Sequence, residues 1–222
     1  MLDFASARYH MIEGQIRTND VTDTKVLDAI SSVARERFVP AARRAVAYRD
    51  EDMAIHQGED GTERFIMEPR VFARLVQLAE ICRDDLVLYV GAGLGYGPAV
   101  ISRLAETVVA LESDPDLAAA AVDNLSEAGT DNVAVIQGAL PHGCPNQAPF
   151  DVRFIEGAVP EVPQSLVGQL KDGGRLVCVV GKGLAGRARL VEKTAGVSGG
   201  RDEFSAAVAP LAEFEAPAGF VF

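Results

Sequence analysis

Cysteine and histidine are scarce in this chain, and positive charge falls well short of negative. Only three cysteines occur in 222 residues. Cys82, Cys144 and Cys178 are odd in number, far apart and without metal-ligand spacing, so a disulfide framework and a zinc site are both excluded and a reduced, cytoplasmic chain is expected. His10, His56 and His142 are equally scattered, and no metal is expected. Lysine and arginine total 21 against 32 aspartates and glutamates, a formal net charge of −11. A nucleic-acid binder normally presents a basic face, so nucleic acid is not an expected partner. The local cluster Arg35, Arg37, Arg43 and Arg44 reads as a solvated helix face. No apolar run approaches the length of a membrane span, and the first residues lack a basic segment followed by an apolar one. Neither membrane association nor a signal peptide is expected.

What the chain does have is an ordinary soluble balance, 48% hydrophobic and 24% charged, on enough residues for one α/β domain with a sizeable core. The stretch Leu86-Val87-Leu88-Tyr89-Val90-Gly91-Ala92-Gly93-Leu94-Gly95-Tyr96 organises it. Its apolar run is short and β-rich, so it reads as a buried parallel strand. The alternating glycines then predict a tight turn that lets a ligand approach the backbone, and Pro98 suits the first turn of a helix. Before it, residues 3–17 and the segment from Thr22 to Val33 predict two amphipathic helices, followed by a short helix over 41–47. Residues 51–68 read as a glycine-bearing loop between extended pieces, and Pro69 opens another helix. After it, strands are predicted at 107–112, 132–136, 150–155 and 175–180, with helices between, which means a doubly wound parallel sheet. Segments 188–194 and 204–210, around Gly196, Gly199 and Gly200, suggest a hairpin at the sheet edge. The expected division is a helical N-terminal lead-in and substrate-side loop, 1–68, and a ligand-binding α/β unit, 69–222.

In such sheets ligands sit outside the carboxyl ends of the strands. The Gly91 turn, Glu112, Gly138-Ala139 and Glu156-Gly157 should therefore converge on one crevice. Glu112 follows the turn by about 20 residues, the spacing at which a strand-end carboxylate accepts both hydroxyls of an adenosine ribose. A nicotinamide dinucleotide requires Gly-x-Gly-x-x-Gly. The third glycine position is Tyr96 in one register and Pro98 in the other; the Gly-x-Gly-x-Gly that is present resembles the turn of Rossmann-like S-adenosyl-L-methionine methyltransferases, so that cofactor is expected over a dinucleotide.

With these pieces placed, the chain resembles the protein-L-isoaspartate O-methyltransferases. The segments that carry the resemblance are Arg35-Glu36-Arg37-Phe38-Val39-Pro40, Ala47-Tyr48-Arg49-Asp50, the Pro69 helix, the glycine turn, Asn132-Val133-Ala134-Val135, Ala148-Pro149-Phe150-Asp151 and Gln169 to Val177. The resemblance implies a Rossmann-like class I methyltransferase fold: a doubly wound seven-stranded sheet with antiparallel C-terminal strands and a helical N-terminal lead-in. It implies S-adenosyl-L-methionine as cofactor, isoaspartyl residues of damaged proteins or peptides as substrate, and a cytoplasmic repair role. Its cofactor contacts map onto Tyr89, Gly91, Ala92, Gly93, Gly95, Glu112, Gly138 and Ala139, and its reacting site onto Met67 and Glu156. Four of these positions depart from the family pattern. Met67 replaces a serine, Tyr89 an acid before the turn, Ala139 an acid near the adenine, and Glu156 a threonine. Other readings remain open at this point: a family member without the chemistry that binds cofactor or a partner, a methyltransferase for another substrate with Glu156 as base, and, more distantly, a nicotinamide-dependent reductase.

Overall fold

The computed structural model describes residues 3–59, 61–181 and 183–215; the outer ends of the two expected segments lie outside this range. The lead-in forms helix α1 (Phe4–Met11) and helix α2 (Thr24–Ser32), joined by a π turn at Ile12–Ile16 and a 3-10 turn at Arg17–Asn19. The first helix is thus shorter than its polarity pattern suggests, and the wider turn lets Met11, Ile12 and Ile16 all reach the core. Asp23 caps α2 by accepting from Lys25 N at 2.8 Å. Past Ser32 the chain continues in 3-10 turns at Arg35–Phe38 and Ala41–Val46. Strands β1 (Met53–Gln57) and β2 (Glu63–Ile66) form a separate antiparallel hairpin, and Pro69 is the first residue of α3 (Pro69–Leu78).

The α/β part follows as β3 (Leu86–Val90), α4 (Tyr96–Ile101), β4 (Thr107–Glu112), α5 (Pro115–Glu127), β5 (Val133–Gln137), β6 (Phe150–Val159), α6 (Gln164–Gly168), β7 (Leu170–Val180), β8 (Arg187–Thr194) and β9 (Val197–Ser205). The sheet order is β5-β4-β3-β6-β7-β8-β9. Pairing is parallel from β5 to β7 and antiparallel for the last two strands. The expected fold is therefore the observed one. Alternation along β3 explains its apolar run: Val87 and Tyr89 face one buried cluster, Leu88 and Val90 the other. The chain leaves β3 in one direction through β4 and β5, then returns to β6 on its other side. That reversal opens the crevice at the carboxyl ends of β3 and β6.

Three strand expectations are corrected, the first being β7, which begins at Leu170 and not at Arg175. β6 does not stop at Ile155 but runs on through Glu156 and Gly157 to Val159. It continues because residues from the far end of the chain supply a partner: Ala158 N donates to the Ala209 carbonyl and Leu211 N to the Ala158 carbonyl, both at 2.9 Å. Its register against β7 shifts between Phe154 and Ala158, a bulge that re-aims the side chains of the strand end. The second hairpin strand is Val197–Ser205, not 204–210. Ala195 and Gly196 both take positive φ, 51° and 78°, forming a two-residue turn that pairs Thr194 with Val197. Gly199 and Gly200 consequently lie inside the strand.

Candidate functional site

The glycine turn adopts the geometry its sequence predicts. Gly91, Gly93 and Gly95 have φ of +85°, +53° and +97°. All three lie in the left-handed region, where a Cβ is penalised. Gly91 N and Ala92 N both donate to the Leu111 carbonyl, and Gly95 sits at the N-cap of α4. The cradle is closely covered. A Cβ on Gly93 would come within 2.8 Å of Ile55 Cδ1 from the β1–β2 hairpin, and one on Gly91 within 3.3 Å of Leu211 Cδ2.

Glu112, at the end of β4, is fully buried. Its Oε2 accepts from Gly93 N at 2.8 Å. Its Oε1 accepts from Ser113 N at 2.8 Å and from Arg64 Nη2 at 3.0 Å. Arg64 comes from β2 and also donates to Glu213 Oε1 at 2.5 Å, while its own Nε is buried without a partner. Burial works against the Arg64 charge, but Glu112 and Glu213 outweigh it and raise its pKa. Burial likewise pushes Glu213 up, and Arg64 with Ser113 holds it below the usual range. An open groove of about 740 Å³ adjoins this network, lined by His56, Thr62, Arg64, Ser113, Asp114 and Glu213 among others. Its size lies within the range of small-molecule sites, about 300 to 1,000 Å³. His56 Nε2 lies 3.0 Å from Asp114 Oδ2, which ties the hairpin to the cap of α5.

At the neighbouring strand end Glu156 is 5% exposed. Its Oε2 accepts from the Tyr89 hydroxyl at 2.6 Å and its Oε1 from Met67 N at 3.1 Å. Arg35 Nη2 donates to the Met67 carbonyl at 2.7 Å and Arg35 Nε to the Ala47 carbonyl at 2.8 Å. Its guanidinium stands 4.7 Å over the Tyr96 ring. Asp52 accepts from Glu68 N at 2.8 Å and from Ala209 N, joining the loop before α3 to the C-terminal segment. Asp52, Met67, Glu156, Gly157 and Leu211 line a cleft of about 10 Å³, room for one water-sized group.

The predicted residues therefore fall into three sets. Gly91, Ala92, Gly93, Gly95 and Glu112 form the cradle. Met67 and Glu156 meet through the Met67 backbone, not its side chain. Gly138 N donates to the Glu112 carbonyl at 2.9 Å, but Ala139 is exposed at the rim. Tyr89 is wholly buried, with its ring stacked on Phe154 at 5.0 Å, so only its hydroxyl reaches the site, through Glu156. Arg35 corrects an expectation. It is 1% exposed and braces the site, whereas Arg37, Arg43 and Arg44 are solvated as predicted. Asp52, Glu213 and Leu211 were not singled out from the sequence. They join the site only by long-range packing, and no local pattern marks them. Among the described residues no group of three or more His, Cys, Asp or Glu could hold a metal ion, and no helix is long and apolar enough to cross a membrane.

Burial, opposed by the Tyr89 hydroxyl and Met67 N–H, pushes Glu156 up to about 7 from an ordinary 4.5. Below pH 4.5 the group is protonated whether the chain is folded or not. Between 4.5 and about 7 the unfolded chain has released the proton and the folded chain keeps it, so stability falls as pH rises through that window. At about 1.4 kcal/mol per pH unit the Glu156 contribution is roughly 3 kcal/mol. Asp52 and Glu68, also raised by burial, act in the same sense. Urea unfolding of the wild type and Glu156→Gln at pH 5 and pH 8 checks this. The wild type loses stability relative to the variant on going to pH 8; equal changes in the two proteins refute it.

The family described as protein-L-isoaspartate(D-aspartate) O-methyltransferase (PCMT) matches residues 6–215. A protein-L-isoaspartate O-methyltransferase of Koribacter versatilis is 38% identical over 193 residues, 87% of this chain and 85% of that one. One from Methanoculleus marisnigri is 39% identical over 174 residues, 78% of this chain and 77% of that one. Two solved structures share the fold. A protein-L-isoaspartate O-methyltransferase superposes with a TM-score of 0.78 at 23% identity, covering 94% of this chain and 66% of that one. A beta-aspartate methyltransferase (PCMT) from Plasmodium falciparum, in complex with S-adenosyl-L-homocysteine, superposes with a TM-score of 0.76 at 18% identity, covering 96% of this chain and all of that one.

Proposed function

The chain belongs to the protein-L-isoaspartate(D-aspartate) O-methyltransferase family, and we propose that it methylates the free side carboxylate of isoaspartyl residues, with S-adenosyl-L-methionine as methyl donor. The observation that carries this reading is the positive-φ glycine turn whose Gly93 N–H faces a strand-end carboxylate, Glu112, beside a groove of ligand size. The donor set suits an adenosine with an amino-acid tail. The glycines permit close backbone approach, Glu112 is the acceptor for ribose hydroxyls, and Gly138 with Ala139 flanks the outer side. Arg64 covers Glu112 in the ligand-free chain, so ribose hydroxyls would reach that carboxylate only where Arg64 gives way, with Glu213 left as its partner.

When bound, the cofactor supplies an electrophilic methyl group on a sulfonium. The substrate carboxylate is ionised at neutral pH and is itself the nucleophile, so the chain needs no general base. Its contribution is alignment and exclusion of water, which the Leu211 and Ile55 covers favour. A carboxylate substrate is repelled by an ionised Glu156 unless a cation pairs with that residue; in the ligand-free chain near neutrality it is only partly ionised. Methylation of isoaspartyl residues in cytoplasmic proteins would begin their repair.

The test is transfer of a labelled methyl group to an isoaspartyl peptide and to its aspartyl isomer. The expected result is transfer to the isoaspartyl form and little or none to the isomer. A protein that binds S-adenosyl-L-homocysteine yet labels neither peptide would reject the substrate assignment.

A further inference from the structure

Glu156 carries a whole carboxyl group inside the fold, and its burial is only partly offset. A carboxylate has about four acceptor positions, and the bonds from Tyr89 and Met67 use two of them. Arg35 is the cation that acts on it, but without a direct ion pair: its Nε and Nη2 donate to the Ala47 and Met67 carbonyls, and its Nη1 is buried without a hydrogen-bond partner. Asp52 adds like charge from the residue just before β1, and the Tyr89 and Tyr96 hydroxyls around it are raised by burial and stay neutral.

The position of this acid matters as much as its burial. Val90 pairs with Ile155, so Glu156 stands level with Gly91, and a Cβ on Gly91 would lie 3.3 Å from the Glu156 carbonyl oxygen. Glu156 and Gly157, at the β6 register shift, line a cleft together with Asp52 and Leu211. That cleft, about 10 Å³, has room for a group the size of a water molecule, which is also the size of an ammonium. An acid buried beside a cleft is best compensated by a cation that enters it.

Resting on the cofactor reading above, we propose that Glu156 is a cofactor-binding residue: its carboxylate, held by Tyr89 and Met67, anchors the α-ammonium of the cofactor's methionine portion. The anchor must be ionised to work. The cleft-side acid is neutral at lower pH, so cofactor affinity rises with pH as Glu156 gives up its proton, and binding below neutrality releases that proton to solvent.

Calorimetric titration with S-adenosyl-L-homocysteine, which keeps the ammonium but not the sulfonium, tests the proposal without turnover. Its comparison ligand is 5′-methylthioadenosine, which has no amino-acid end. For the wild type, homocysteine-ligand affinity is expected to rise about tenfold from pH 6 to pH 8, with methylthioadenosine affinity constant. In Glu156→Gln, an isosteric change, the rise disappears and affinity at pH 8 falls about tenfold or more. In Tyr89→Phe, which keeps the carboxylate but removes a donor to it, the pH profile moves upward. A flat wild-type profile overturns the anchor and leaves the cofactor reading standing, as does a Glu156→Gln protein that binds as tightly as wild type at pH 8. An equal pH rise for methylthioadenosine overturns the assignment to the amino-acid end. Wild type that binds neither ligand at any pH overturns the cofactor reading, and this proposal with it.

Discussion

Glu112→Ala is expected to lower affinity for S-adenosyl-L-homocysteine by about a hundredfold and to destabilise the fold by about 3–5 kcal/mol. The first effect follows from the loss of an ionised acceptor at the ribose position, where hydrogen bonds to a charged group contribute about 1.5–3 kcal/mol each. The second follows from what the substitution leaves behind. Arg64 is 5% exposed and would keep only Glu213 and the Ser113 hydroxyl as partners. Gly93 N, Ser113 N and Asp114 N would lose their shared acceptor at the same time. Breaking a buried pair costs more than removing it whole. The double variant Glu112→Ala, Arg64→Ala should therefore recover part of the lost stability, since the three N–H groups and Glu213 stay without these partners, and none of the lost binding. Chemical denaturation and calorimetry on Glu112→Ala, Arg64→Ala and the double variant separate the two effects. A Glu112→Ala protein that binds like wild type would remove Glu112 from the cofactor site, and full additivity of the two changes in stability would contradict the pairing.

Arg35→Ala is expected to cost about 4 kcal/mol and to lower the unfolding midpoint by about 10 °C. Two buried carbonyls, Ala47 and Met67, lose their side-chain donor, and each orphaned group costs about 1–3 kcal/mol. The contact with the Tyr96 ring is lost as well, a term of about 0.5–2 kcal/mol. Arg35→Lys should recover less than half of this, because one ammonium cannot span two carbonyls held by a planar fork. The change also frees the Met67 peptide, whose N–H fixes Glu156, so isoaspartyl methylation should fall further than stability alone accounts for. Thermal unfolding followed by an assay well below the midpoint reads both. An Arg35→Ala protein within 1 kcal/mol of wild type would place Arg35 outside the structural brace.

The central strands and the glycine cradle were legible in the sequence because their signals are local, whereas the order of the strands in the sheet was not. β3 announces itself by an apolar run that ends in alternating glycines, and β4 by Thr107–Glu112, whose observed limits coincide with the predicted ones. Pro69 and Asp23 mark helix starts through backbone chemistry that needs no tertiary partner. The hairpin register was misread because the turn at Ala195-Gly196 competes with two further glycines nearby, and only the pairing of Thr194 with Val197 decides between them. The length of β6 was equally out of reach, since its last residues are paired by β7 across a register shift and by a segment some fifty residues later in the chain.

By itself, then, the sequence determined an alternating α/β chain, a glycine turn that must adopt positive φ, and an acid at the ribose spacing. Those features depend on backbone sterics and on period-two burial, which neighbouring residues dictate. Only the tertiary structure decided what faces that turn. It turned Arg35 from a surface charge into a buried brace, set Arg64 over Glu112, and folded Leu211 over the cleft and Glu213 beside the groove. It also brought the Tyr89 hydroxyl and the Met67 N–H onto one carboxyl. The physical reason is that a buried charge takes its partners from whichever elements the topology places beside it, and the nearest of these to Glu156 comes from 67 residues away in sequence.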